Sequence, residues 1–221
     1  LSRMLRDTDL TSEQFAWVST IYASGITLGN IFNDIIDLDR LGRDRLELSL
    51  KTVSIKDFTQ ELGSIIELLA NDKELSFTSH VEEPLPALVE VDGTRLRQIL
   101  WNLLFNAVKF TQKGTVSLEV KAEKIDSETS MVTFKVCDTG VGIPQQDIDK
   151  IFAMYYQVDT PEHQSATGTG ISLALCQQMV SLMSGKISVS SEMGDGTCIT
   201  VDLPLSISKK AIQVEALKVT G

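Results

Sequence analysis

The sequence predicts an α/β fold, a two-layer sandwich in which helices cover one face of a mixed sheet, preceded by one long helix. Three observations predict it. Residues 54–71, 92–111 and 171–183 place apolar side chains at steps of three and four, the spacing of helices with one buried face. Between and after them lie short runs that alternate apolar and polar residues, as half-buried strands do. Turn residues separate these runs, with Pro84 and Pro86 before one strand and Gly194-Asp195-Gly196 between the last two. The 221 residues suffice for one large or two modest domains.

Composition excludes some functions. A formal charge of -10, with no run of Lys or Arg, argues against a nucleic-acid binder, so an anionic ligand needs local positive groups. Cys137, Cys176 and Cys198 lie far apart, and Cys137 and Cys198 fall in strand-like runs as small core residues, with a reduced cytosolic setting as the default. No apolar stretch reaches the length of a membrane span, and no signal-peptide pattern opens the chain. This segment is therefore expected to make no membrane contact, and any anchor of a membrane-bound parent lies outside it.

Residues 1–11 read as the end of one helix and a turn, with Thr11 or Ser12 available to cap the next. From residue 13 to 41, Phe15, Val18, Tyr22, Gly25, Gly29, Phe32, Ile36 and Asp39 follow heptad spacing. So long and apolar a face is expected to pair with a second copy, with packing onto its own chain as the alternative. Residues 42–53, with Gly42 and mixed charges, read as a linker. A new domain, 54–208, then begins. Ser54 caps a helix carrying Ile55, Phe58, Leu62, Ile65, Ile66 and Leu69. Strands follow at 75–81 and 87–91, then the helix of 92–111, and then Val116-x-Leu118-x-Val120 and Val132-x-Phe134-x-Val136 around a polar loop at 125–130. A helix at 171–183 and strands at 186–190 and 197–203 close the domain. Residues 209–221 read as a further linker.

The helix of 92–111 carries Asn102, Asn106 and Lys109, four and three apart, so two amides and an ammonium share one patch of helix surface. A hard cation takes neutral oxygen ligands and a lysine meets phosphate charge, which suits a magnesium-bound polyphosphate. The plainer account is a solvated polar stripe. Strand 132–137 runs into Asp138-Thr139-Gly140-Val141-Gly142-Ile143-Pro144. A carboxylate at a strand end can accept a hydrogen bond from the amino group of a base, and the glycines admit a flat ligand. Asp-x-Gly is also an everyday turn, and Asp-Thr-Gly a half-site signature of aspartic proteases, which the surrounding helices argue against. Gly168-Thr169-Gly170-Ile171-Ser172-Leu173 opens a helix, where backbone N–H groups and the dipole favour an anion. It fits neither the dinucleotide fingerprint nor a Gly-Lys-Ser/Thr phosphate loop.

In this order and spacing the motifs resemble the ATP-binding domain of sensor histidine kinases, in the superfamily of gyrase, Hsp90 and MutL. Asn102 to Thr111 matches the asparagine box, Asp138-x-Gly140-x-Gly142 the first glycine box and Gly168-Thr169-Gly170 the second. Phe152 to Tyr156 stands at the aromatic box, and Gly194-Asp195-Gly196-Thr197 at the last turn. The wording of residues 27–37 and 150–157 is similar to that of hybrid sensor kinases of respiration control.

The resemblance implies ATP and Mg2+ as cofactors. Asn106 is then the metal ligand, Asn102 and Lys109 face the phosphates as the catalytic pair, and Asp138 reads the adenine amino group. Gly140, Gly142, Ile143, Tyr155 and Thr197 are implied as further cofactor-binding residues. Gly168, Thr169, Gly170, Ile171, Ser172 and Leu173 cradle the triphosphate under a lid at 153–167. The superfamily's ATPases have a glutamate where this chain has Asn102, so ATP is kept for transfer and not hydrolysed. The implied function is γ-phosphoryl transfer to a histidine outside this chain, a homodimer through residues 13–41, and relay to a receiver domain or response regulator. The segment is then cytoplasmic, its parent anchored in the inner membrane. Two features depart from the family. Ser172 stands where a third glycine is usual, and neither His80 nor His163 is followed by the Glu or Asp of an acceptor. They leave a second expectation, a nucleotide-binding or dimerisation module without transfer.

Overall fold

The computed structural model describes residues 47–160 and 169–208, with Thr11, Gln14, Trp17, Val18 and Ile21 as isolated positions before them. Two compact units meet between residues 46 and 47. In the first unit Thr11 is the cap: its hydroxyl accepts from the Gln14 N–H at 3.2 Å, and Gln14 Oε1 accepts from the Thr11 N–H at 3.0 Å. This reciprocal pair satisfies two of the orphan donors at a helix start. The rest of the helix expected over 13–41, and the tail 209–221, lie outside the described residues.

The second unit runs β1 (Lys51–Val53), α1 (Ile55–Asn71), β2 (Ser76–Val81), β3 (Val89–Val91), α2 (Gly93–Phe110), β4 (Thr115–Lys124) and β5 (Thr129–Asp138). A 3-10 turn (Gln145–Lys150), α3 (Ser172–Leu182), β6 (Lys186–Glu192) and β7 (Gly196–Ile207) complete it. The sheet order is β1-β3-β7-β5-β4-β2, with β6 also on β7. Only the β2–β4 pair is parallel, so the sheet is mixed, as the sequence predicts.

β7 organises the sheet. Along one edge it pairs with β5 from Thr197 to Ser206, and along the other with β6 as far as Asp202 and with β3 from Ser206. Pro204 sits in the gap between those two partners. A proline has no N–H for a ladder, and here the missing donor falls where no strand needs it.

Alternation explains the layers. Val116, Leu118 and Val120 of β4, Val132, Phe134 and Val136 of β5, and Ile199, Val201 and Leu203 of β7 are buried on one face. The buried stripes of α1, α2 and α3 cover that face, among them Leu62, Ile66, Leu100, Leu103, Leu104, Leu175 and Met179. The opposite pleat is polar: Lys135 lies 3.7 Å from Glu119, and Thr133 Oγ1 donates to Asp202 Oδ1 at 2.6 Å.

Two expectations are corrected. Residues 51–53, read as linker, form β1 and pair with β3 in the register Lys51↔Val91. Three residues, of which Lys51 and Thr52 are exposed, are too few to show alternation. Cys137 and Cys198, read as reduced core residues, are half-buried on the polar pleat and bonded to each other. They stand directly opposite across β5 and β7, a neighbourhood that depends on register and not on sequence distance. Cys176 lies buried in α3, outside any disulfide.

Candidate functional site

The site grows from α2, which is pinned at both ends. Asp92, its N-cap, is buried and accepts from the Thr94 and Arg95 N–H groups at 3.0 and 3.1 Å through Oδ1. Its Oδ2 accepts from the Ser49 N–H at 2.9 Å, which ties down the chain entering β1. At the other end Thr111 Oγ1 donates to Ala107 O at 2.7 Å. Lys73, just beyond α1, donates its ammonium to the carbonyls of Val108, Lys109 and Thr111 at 2.8, 3.1 and 3.2 Å. A cation among the last carbonyls complements the helix dipole.

With the ends fixed and the apolar face buried, Asn102, Asn106 and Lys109 run along the half-buried rim of α2. Asn102 Nδ2 points at Cys176 Sγ of α3, 3.8 Å away, and that thiol in turn donates to Ile99 O at 3.9 Å. The Lys109 ammonium lies 4.7 Å from the centre of the Phe110 ring, and burial lowers its pKa from the ordinary lysine value.

β5 ends at Asp138, whose Oδ1 accepts from the Gly140 N–H at 2.8 Å. Burial pushes this carboxyl up to about 6, while hydrogen bonds from the backbone of Gly140 and Thr197 act in the opposite direction. Gly140 rests on the last turn of α2, where a Cβ would come within 2.6 Å of Phe110 O. The loop is held from its far side too. The Gly194 N–H donates to Val141 O at 2.9 Å, and the Ile143 N–H donates to Ser191 Oγ at 2.8 Å. Ser191 also lies 2.8 Å from both Gly196 O and Thr197 Oγ1.

The aromatic segment meets the start of α3. Tyr155 has a left-handed backbone, φ 65, donates its N–H to Gly170 O at 2.9 Å, and is itself 69% exposed. Gly170, φ 69, admits this approach, since a Cβ there would stand 2.6 Å from Tyr156 O. Tyr156 is the anchored ring: its hydroxyl donates to the buried Asp147 at 2.7 Å, and that bond raises its own pKa. α3 begins without a side-chain cap at Ile171, and Thr169 Oγ1 accepts from the Ile171 N–H at 3.4 Å. Ser172 is the first helical residue and Leu173 follows in the same turn, so Ser172 needs no left-handed backbone.

Thus the loop after β5 touches the C-terminal turn of α2, and α3 touches its middle; Asn106 lies between the two contacts. Asp138, Gly140, Ile143 and Thr197 form one bonded cluster, and Tyr155 and Gly170 another. Gly168 and His163 lie outside the described residues, and His80 faces solvent on β2. Lys73, Cys176 and Ser191 were invisible to sequence reasoning, because their partners lie far away in the chain or depend on strand register.

Comparison with known proteins gives the family. Residues 91–207 match the family described as histidine kinase-, DNA gyrase B- and HSP90-like ATPase. The chain is 48% identical over 204 residues to the aerobic respiration control sensor protein ArcB of Escherichia coli K12, covering 92% of this chain and 26% of that protein. It is 39% identical over 183 residues to the ArcB homolog of Haemophilus influenzae, covering 83% and 54%. A solved structure of full-length ShkA in complex with AMPPNP superposes with a TM-score of 0.73 at 34% identity, covering 94% of this chain and 42% of that one. The Acinetobacter baumannii histidine kinase AdeS shares the fold, with a TM-score of 0.64 at 17% identity over 91% of this chain and 88% of that one. The chain spans only 26% of the length of the Escherichia coli relative.

Proposed function

Because this chain belongs to the sensor histidine kinases and carries the ATP-binding catalytic domain of one, we propose that it binds Mg-ATP along the rim of α2 and donates the γ-phosphoryl group to a histidine outside this chain. The observation that carries the base site is Asp138, a largely buried carboxylate held by backbone N–H groups beside a glycine loop. Its remaining acceptor capacity suits the amino group of adenine, with Gly140, Gly142 and Ile143 forming backbone against which a flat base can lie. Thr197 stands beside it. Asn102 and Lys109 face the phosphates, and the uncapped first turn of α3, approached through Gly168 to Leu173, offers N–H groups to the same charge. Tyr155 and residues 153–167 form the lid.

Among the described residues no three His, Cys, Asp or Glu side chains gather into a metal cage. That fits magnesium arriving with the phosphates, and Asn106 on its half-buried rim offers one neutral oxygen as the protein ligand. A metal held there would supply charge neutralisation of the phosphates. Asn102 cannot take a proton from water at neutral pH, so positioning and charge stabilisation are left to act on transfer, with no general base for hydrolysis. The idea of a binding module without transfer loses one of its two motives, since Ser172 is helical and unstrained.

For the whole protein we extend the proposal to a homodimer through residues 13–41, relay to a receiver domain or response regulator, and a cytoplasmic placement beside an inner-membrane anchor. No helix among the described residues is long and apolar enough to cross a membrane. Labelled Mg-ATP tests the core of this reading. The chain alone is expected to bind nucleotide without gaining acid-labile label, and an added helical segment with an acceptor histidine is expected to become labelled. Label on His80 or His163, or no nucleotide binding, would overturn it.

A further inference from the structure

Ser191 of β6 touches no residue of the asparagine stripe and belongs to none of the motifs read from the sequence, yet three bonds converge on its one oxygen. The Ile143 N–H approaches at 2.8 Å, Gly196 O at 2.8 Å and Thr197 Oγ1 at 2.8 Å. A serine hydroxyl has one proton and two lone pairs. A carbonyl oxygen only accepts, so the Ser191 proton goes to Gly196 O. An amide N–H only donates, so Ile143 takes one lone pair. The remaining lone pair faces Thr197 Oγ1, and Thr197 must therefore donate its hydroxyl proton to Ser191.

The consequence lies on the other side of Thr197. With its proton committed, Thr197 Oγ1 can only accept from anything else it meets. Its own backbone N–H is directed at the Asp138 carboxylate, which also takes the Gly140 N–H. Asp138 and Thr197 are direct partners across β5 and β7. Two acceptors thus stand side by side at the mouth of the loop that Ser191 holds in place.

We propose that Ser191 is a positioning residue for base selectivity, fixing the Ile143 loop and turning the Thr197 hydroxyl into an acceptor beside Asp138. The proposal rests on the nucleotide reading above. A base with an amino group at this position, as in adenine, supplies donors to the pair, directly or through water. A base with a carbonyl oxygen there, as in inosine or guanine nucleotides, brings an acceptor to acceptors and is rejected. Ser191 contributes without touching the base.

Calorimetric affinities for ATP and ITP, measured on the full chain and its variants, test this. The parent is expected to favour ATP. Ser191→Ala is expected to reduce the ATP-over-ITP ratio about tenfold, the scale of one hydrogen bond lost, and Ser191→Thr, which keeps the hydroxyl, to restore it. In a Thr197→Val background the Ser191→Ala change is expected to alter the ratio little further, because the Ile143 contact bears on both nucleotides alike and the discrimination runs through the Ser191–Thr197 bond. An undiminished ratio in a Ser191→Ala protein that melts like the parent would overturn the proposal. So would an effect that is fully additive with Thr197→Val. If Ser191→Ala fails to fold, the Ser191→Thr and Thr197→Val proteins decide it: the first must keep the parental ratio and the second must lower it. A parent that binds neither nucleotide refutes the nucleotide reading itself, a distinct result.

Discussion

Asp138 shows how one residue's surroundings become a measurable property. An exposed aspartate ionises near 4, but burial holds this one back to about 6. Only the ionised carboxylate is purely an acceptor, so the proposed contact with an adenine amino group is expected to be complete above that value and to weaken as pH falls through it. The ratio of ATP to GTP affinity is expected to be flat from about pH 7 upward and to fall by up to about tenfold per unit below 6. Taking the ratio cancels titration of the shared triphosphate. Asp138→Asn is expected to give a low ratio with no pH dependence, which calorimetry from about pH 5 to 8 would check. A pH-dependent ratio surviving in that variant would assign the titration elsewhere. Ser172 makes the complementary case. Its backbone is helical, so Ser172→Gly relieves no strain and is expected to leave nucleotide affinity within about twofold of the parent while lowering helix propensity by a few tenths of a kcal/mol. A large gain in affinity would show that the serine impairs the cradle.

At the scale of elements, α2 is the part on which the site depends, and its ends matter more than its length. Asp92 closes the first turn, and Lys73 reaches in from α1 to satisfy carbonyls at the last. The turn Lys73 secures carries Lys109 and supports Gly140 through Phe110 O. Lys73→Met keeps the aliphatic stem and removes the charge. It is expected to cost about 1 kcal/mol, the usual worth of a cation at a helix C-terminus, or about 2–4 °C in Tm for a unit of this size. ATP affinity should fall with it, since both the asparagine rim and the base loop lean on that turn. An unchanged Tm with unchanged affinity would show that the last turn holds without Lys73. The aromatic segment is joined to the start of α3 in a similar way, through the backbone hydrogen bond from Tyr155 to Gly170.

For the molecule as a whole, the sheet and its three helices form one unit from residue 47 onward, and the sequence of residues 13–41 carries a heptad pattern. Deleting residues 1–46 is expected to leave a folded, nucleotide-binding monomer, whereas the full chain is expected to self-associate with a midpoint that depends on concentration. Sedimentation of both forms checks this, and a full chain that remains monomeric at high concentration would set aside pairing through that face. The site belongs entirely to the second unit, so loss of association should leave ATP affinity unchanged.

What the sequence determined by itself was whatever local period could encode. The alternation in β4, β5 and β7 and the three- and four-residue steps of α1 to α3 gave the layers, because a buried face imposes its repeat on neighbouring positions. Asn102, Asn106 and Lys109 were legible for the same reason, since a helix turns sequence spacing into adjacency. Asp138 and its glycines were legible because strand, carboxylate and turn follow one another without a break. Tertiary structure decided what depends on register and on contact between distant segments. The three-residue β1 was too short to carry a period, and the bond between Cys137 and Cys198 required the pairing of β5 with β7. Lys73 on the end of α2 and the convergence of Ile143, Gly196 and Thr197 on Ser191 required the fold itself, because no pattern along the chain records which hydrogen-bond donor will face which acceptor once the layers have packed.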